Sequence, residues 1–199
     1  MWRKDCKEDL YTKKAQKEGY PARSVYKFSE MDAKFHLAKK RDSILDLGAS
    51  PGSWFLYLAR KVGNKGFVLG VDKEPLKIEV LPNAVFVKKD VTELTCSQVL
   101  SYKKSYDVVV SDMAPSTTGI RKLDSLASLE LCYVALELAK AVLKNKGSFV
   151  CKVFEGEDSP GFVKAVRELF GTLKIVKPRA TKKESSEFYV VAKEYRKKD

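Results

Sequence analysis

With a single histidine, His36, in 199 residues, the chain has no imidazole cluster from which a zinc site could be built. Its four cysteines, Cys6, Cys96, Cys132 and Cys151, form no C-x-x-C pair and no metal-ligand spacing. That inventory leads us to expect no metal, reduced thiols and a cytoplasmic location. No apolar run approaches the roughly 18 residues that span a bilayer. The opening stretch, "MWRKDCKEDLYTKK", lacks the apolar core of a secretory signal. Internal repeats, linkers and a second core are also missing, so residues 1–199 read as one domain.

What the chain does have is material for a core and an excess of positive charge. Hydrophobic residues make up 44 % of it and aromatics 11 %, which argues against disorder. A chain of this length can bury roughly 70 % of its unfolded surface. Lys and Arg number 38 against 26 Asp and Glu, a net charge of +12. Nucleic acid is the best-fitting partner, because Lys and Arg contacts to phosphate supply most sequence-independent affinity. A lysine-rich solubilising surface is the plain alternative. Residues 1–40 read as a basic helical arm, with Arg3, Lys4, Lys13, Lys14, Lys17 and Arg23 as candidates for phosphate contacts.

Within the arm, "ARSVYKFSEMDAKF" places Val25, Phe28, Met31 or Asp32, and Phe35 near one helix face, with Ser24 a candidate cap. From Ser43, short apolar strands alternate with helices. "SILDLG", "GFVLGVD", "AVFVKKD" and "YDVVVSD" read as strands, with the helix "SWFLYLARKV" after the first. A long helix is expected from about Leu123 to Leu143, then a strand "GSFVCKVF", a helix "GFVKAVRELF", a strand "TLKIVKP" and a last strand "EFYVVAKEY". This alternation predicts a doubly wound α/β sheet with helices on both faces, mostly parallel with the last strand antiparallel.

"LDLGASPGSW" follows a strand and opens a helix, the place where such folds bind nucleotide-like ligands. It is not a dinucleotide fingerprint: G-x-G-x-x-G needs glycine at Ser50, and Pro51 removes a donor that a pyrophosphate would use. S-adenosylmethionine, which has no phosphate, makes fewer demands. Gly48 and Gly52 let its body approach the backbone, and the helix start at Ser53 and Trp54 favours its carboxylate. Asp72 ends "GVD" and can accept from ribose hydroxyls. Asp90 ends "VKKD" and can receive the adenine amino group. Alternatively both aspartates merely cap turns.

"GSFVCKVFEG" reads as a strand covered on both sides, with Phe149, Cys151 and Val153 on one face and Val150, Lys152 and Phe154 on the other. A buried ammonium there needs a partner. Asp112 ends "VVVSD", and Glu187 opens the final strand, so these two carboxylates are expected to flank Lys152 at the crevice. A structural ion pair is the alternative to a functional one.

Together, "DLGASPGSW", "SDMAPSTTG", "GSFVCKVFEGE" and "SSEFYVVA" resemble the FtsJ/RrmJ family of S-adenosylmethionine-dependent ribose 2'-O-methyltransferases, from about Ala15 to Lys193. The resemblance implies a Rossmann-like methyltransferase domain and a Lys-Asp-Lys-Glu catalytic tetrad at Lys27 (in "SVYKFSEMD"), Asp112, Lys152 and Glu187. It implies cofactor contacts at Gly52, Trp54, Asp72, Asp90 and Asp112. Lys27 rests on the resemblance alone; its own setting reads as a solvated helix position. Ser53 departs from the family, where glycine is common. Of the family's substrates, large-subunit (23S-type) ribosomal RNA suits this short chain best. The expected reaction is 2'-O-methylation of a ribose, on a uridine, within the large subunit, by a monomer. A tRNA methyltransferase of the same family and a non-catalytic RNA-binding assembly factor are the rival readings. Amino methylation of a base is disfavoured because "SDMAP" lacks the aromatic of a D/N-P-P-Y/F segment, and carbon methylation of cytosine because no cysteine follows the relevant proline.

Overall fold

Strands apolar on both faces need cover on both faces, and the chain provides it. The structure, a computed structural model, describes residues 3–182 and 184–197, with side chains in the first helix from Leu10 onward. The candidate phosphate contacts Arg3 and Lys4 therefore have side chains outside the described set. Helices α1 (Arg3–Lys17) and α2 (Val25–Phe35) precede a sheet built from β1 (Ser43–Leu47), β2 (Phe67–Asp72), β3 (Ala84–Lys88), β4 (Tyr106–Ser111), β5 (Leu143–Phe154), β6 (Phe170–Val176) and β7 (Glu187–Tyr195). Its strand order is β3-β2-β1-β4-β5-β7-β6. The first five strands are parallel, and β7 runs antiparallel between β5 and β6. Order reverses between β1 and β4, which opens a crevice at the carboxyl ends of these strands.

Helices α3 (Ser53–Val62), α4 (Cys96–Tyr102), α5 (Arg121–Val142) and α6 (Ser159–Leu169) complete the layers. One core joins Leu45, Leu47, Val109, Phe149 and Cys151 to Leu136 and Phe162 of α5 and α6. The opposite core joins Ile44, Val68, Val110, Val150 and Tyr189 to Phe28, Trp54 and Leu58 of α2 and α3. All five residues of β1 are buried, as a central strand requires. No helix among the described residues is long and apolar enough to cross a membrane.

One helix was not anticipated, and two local expectations are refined. Helix α4 has only seven residues and buries only Val99, too short to print a helical period; a reciprocal Thr95–Gln98 capping box defines it instead. The Ser24 side chain makes no capping bond, and its carbonyl accepts from the Trp54 indole at 2.9 Å. Met31 and Asp32 are both buried. Asp32 is tolerated because it binds Ala38 N–H at 2.9 Å, the Tyr57 hydroxyl at 2.7 Å and the Lys61 ammonium at 2.9 Å.

Candidate active site

The turn after β1 is built around two glycines with positive φ, Gly48 at 78° and Gly52 at 114°. A Cβ on Gly48 would stand 2.9 Å from the Met113 backbone nitrogen, so no other residue fits where this turn passes the end of β4. The bond between Ser50 and Pro51 is cis. Residues 73–82 form the facing wall, held by Lys77 N–H to Pro51 O at 3.0 Å and by the Ser50 hydroxyl to Pro75 O at 3.0 Å. Ile78 packs over Gly52.

Asp72 accepts from Ser50 N–H at 2.9 Å and Glu74 N–H at 2.8 Å. Its carboxylate is thus aimed by the turn, with lone pairs still open to ribose hydroxyls. Asp90 lies two residues beyond the end of β3 and starts a short 3-10 turn, Val91–Glu93. The Thr92 amide and hydroxyl both bind its Oδ1 and hold the carboxyl below its ordinary range. The second oxygen takes part in neither bond. Trp54 stands at the helix start as expected, with its ring turned into the core. Its ring is 3 % exposed and sits between Phe28 and Tyr189 at centroid distances of 4.8 and 5.7 Å. Its main-chain N–H lies in the first turn of α3, the helix start expected to favour the cofactor carboxylate.

Sequence reasoning passed over Asp46, which lies beneath this turn on β1. It is fully buried, and neither carboxylate oxygen has a hydrogen-bond partner. Burial, with the charges of Asp112 and Asp72 adding to it, pushes its pKa well above the usual carboxylate range. Asp46 is thus held neutral, and it is the ionised neighbours Asp72 and Asp112 around the turn that suit a cationic ligand and disfavour a polyphosphate. S-adenosylmethionine, carrying a sulfonium and an ammonium, fits this donor set.

On the acceptor side, the tetrad candidates converge from four segments. Lys152 Nζ donates to Asp112 O and lies 3.2 Å from Asp112 Oδ1. Lys27 Nζ, from α2, donates to Glu187 Oε1. The arrangement is therefore two separate ion pairs, not a single lysine flanked by both carboxylates. The register explains it: Glu187 stands opposite Phe154, and the residue opposite Lys152 is Tyr189. Two residues of strand separate Glu187 from Lys152, roughly 7 Å, and Lys27 fills that gap.

Tyr189 is the second residue that sequence reasoning missed. It is fully buried and donates its hydroxyl to Asp112 Oδ1 at 2.8 Å. The Lys27 nitrogen lies 6.0 Å from its ring centroid. Burial and the nearby Asp112 and Glu187 charges push its pKa well up, so it serves as a neutral donor. The available signal was a tyrosine on the same β7 face as Glu187, since a buried hydroxyl needs a partner.

The departure at Ser53 also gains a reason. Its hydroxyl accepts from Ala22 N–H at 2.9 Å and donates to Ala22 O at 3.0 Å. The start of α3 is thereby stapled to the segment that leads into α2 and Lys27.

The chain is similar to known proteins in both sequence and fold. Residues 20–195 match the model of the FtsJ-like methyltransferase family. A protein of Desulfatibacillum aliphaticivorans named ribosomal RNA large subunit methyltransferase E is 47 % identical over 96 % of this chain and 90 % of its own. One of the same name from Desulfotalea psychrophila is 43 % identical over 95 % of this chain and 96 % of its own. A crystal structure described as a putative ribosomal RNA methyltransferase from Plasmodium falciparum superposes with a TM-score of 0.79, covering 90 % of this chain and all of that one at 24 % identity. At that identity the likeness speaks for the fold.

Proposed function

The chain belongs to the FtsJ-like methyltransferase family, and from that premise we propose that it methylates a ribose 2'-hydroxyl of large-subunit ribosomal RNA, with S-adenosylmethionine as the methyl donor. The relatives that match it end to end carry that substrate in their names. The observation that carries the reading is the meeting of Lys27, Asp112, Lys152 and Glu187 beside the glycine turn. We assign the work to a monomer in the cytoplasm, acting on ribosomal RNA within the large subunit, with uridine as the modified nucleotide.

When bound, the cofactor supplies an electrophilic methyl group, held by Gly48, Gly52, the Trp54 N–H, Asp72, Asp90 and the Asp112 side of the crevice. Lys152 acts on the 2'-hydroxyl. Asp112 offers its N–H bonds two acceptors, the carbonyl O and Oδ1. Lys152 takes the hydroxyl proton only after releasing to solvent the proton it carries in the Asp112 ion pair; its two remaining N–H bonds then keep these acceptors and the freed lone pair accepts as methyl transfer proceeds. Tyr189 fixes the Asp112 carboxylate from its other side. Lys27, held by Glu187, places a positive charge where negative charge develops on the attacking oxygen.

The test is transfer of labelled methyl from S-adenosylmethionine to ribosomal RNA, followed by mapping of the modified position. Label on a ribose 2'-oxygen of large-subunit RNA is expected. Label on a base, or transfer to tRNA alone, would replace the substrate, and no transfer to any RNA would leave a binding protein.

A further inference from the structure

Beside the tetrad, between α2 and the end of β6, lie two adjoining hollows of about 500 Å³ and 360 Å³ that share Glu30 and Lys34 in their walls. We propose that this groove holds the single-stranded RNA flanking the target nucleotide. Its phosphates lie on Lys34, Lys174, Lys177 and Arg179, and one unpaired base lies against the Tyr11–Tyr26 pair. The inference rests on RNA being the substrate and adds where its neighbouring nucleotides bind.

Charge is the first argument. The lining brings four cations together and one carboxylate, Glu30. That carboxylate is occupied, since its Oε2 accepts from Arg179 N–H at 2.8 Å and so ties residues 177–180 to α2. Arg23 fixes the same segment through its guanidinium to Ala180 O at 3.1 Å. The groove is therefore held open by bonds that leave its positive surface in place.

Continuity with the site is the second argument, and it runs along two elements. Lys34 follows Lys27 on α2 by seven residues, two turns along the same face and roughly 10 Å away. On the sheet side, Val176 at the end of β6 pairs with Tyr189, which binds the tetrad aspartate. A strand of RNA leaving the tetrad meets this groove next.

Surface chemistry is the third argument. Tyr11 and Tyr26 stand 5.6 Å apart with ring planes inclined by 48°, at one end of the groove. Phe35 and Ile175, the last 57 % exposed, form an apolar floor over the buried Met31. A surface that only gripped phosphate would not need aromatic and aliphatic walls. Unpaired RNA bases stack on such residues, while bases within a duplex cannot reach them.

The experiment follows fluorescence anisotropy of the full-length protein with a labelled, unstructured RNA oligonucleotide across a salt series. Stacking of one base is worth about 5- to 150-fold in affinity, so Tyr11→Ala should weaken binding within that range without altering the salt slope. Lys34→Gln with Lys177→Gln should weaken it and lower the slope of log K against log salt by about 1.4, or 0.7 for each phosphate no longer neutralised. Lys103→Gln with Lys104→Gln, just before β4 and so at the amino end of the parallel strands, opposite the crevice, should change affinity less than twofold. Calorimetric affinity for S-adenosylmethionine should match the parent in every variant, which shows them to be folded. The groove is wrong if its variants bind RNA like the parent, if the control pair loses as much, or if polyglutamate competes as well as RNA. Should the parent methylate ribosomal RNA while the groove variants bind unchanged, only this inference fails; should the parent methylate no RNA, the functional reading itself fails.

Discussion

Lys152 occupies a strand position that hydrophobic pattern alone would give to valine, and its neighbours explain why a lysine can stand there. Asp112 binds its nitrogen, and Tyr189 braces Asp112. A lysine kept for its lone pair and one kept for its charge differ in what arginine does at the same place, because a guanidinium cannot accept a proton. We expect Lys152→Arg to lose about 10²–10⁴-fold in single-turnover methyl transfer, with cofactor affinity within about twofold. A near-normal rate on pre-bound RNA would make Lys152 an electrostatic anchor. Asp46 gives a second expectation at this scale. Its folded pKa is raised by burial, so the folded state holds a proton that the unfolded chain releases near pH 4. Stability from this group is thus fully present below about pH 4 and is lost as pH rises toward the raised value. Asp46→Asn removes that loss. In urea titrations the variant should gain steadily on the parent as pH rises above about 4, by up to about 1.4 kcal/mol per pH unit. A difference between the two proteins that stays constant with pH would show that Asp46 does not titrate there. Neither Asp46 nor Tyr189 was legible from sequence as a site residue. Each sits in an apolar strand, and its importance comes from groups brought to it by the sheet, such as Asp112 lying 77 residues before Tyr189.

Elements were legible in proportion to how fully they are buried. The central strands announced themselves because both faces are covered, and the glycine turn because its spacing has one structural use. Helix α4, half exposed and seven residues long, left no period to read. Which carboxylate each lysine takes was also hidden, because it depends on antiparallel register between β5 and β7 and not on either strand alone. The contact between α1–α2 and α3 belongs to this scale as well. Ser53 binds both backbone groups of Ala22, and its neighbour Trp54 binds Ser24 O. Two successive residues of α3 thus clamp the segment that carries Lys27 into place. Ser53→Ala removes two hydrogen bonds of about 0.5–1.5 kcal/mol each, so it should lower unfolding stability by about 1–3 kcal/mol. It should also reduce methyl transfer more than cofactor affinity, since Asp72 and the glycine turn are untouched. An unchanged denaturation midpoint would mean that the clamp rests on Trp54 alone.

For the molecule as a whole, the sheet and the charge perform separate tasks. The order reversal between β1 and β4 collects the cofactor turn and the ends of β4 and β5, and β7 with α2 closes the acceptor side. The candidate site is held by packing and by two ion pairs largely shielded from solvent, so its geometry should depend little on salt. The net charge of +12 acts on the RNA, and salt screens that attraction. Helix α1 separates these roles most cleanly. Lys14 is 3.8 Å from Glu18 and 5.0 Å from the Tyr26 ring centroid, but an exposed pair of this kind is worth little, so Lys14 can exchange it for a phosphate. Lys13→Gln, Lys14→Gln and Lys17→Gln together should then weaken RNA binding and lower the salt slope by about 0.7 for each phosphate they had neutralised, about 2 if all three touch phosphate. Calorimetry with S-adenosylmethionine should give the parent affinity, because none of the three is among the residues that build the glycine turn or its facing wall. If the triple variant bound RNA with the parent slope, the arm would be a solubilising surface. Phosphate contacts would then have to come from lysines and arginines elsewhere on the molecule.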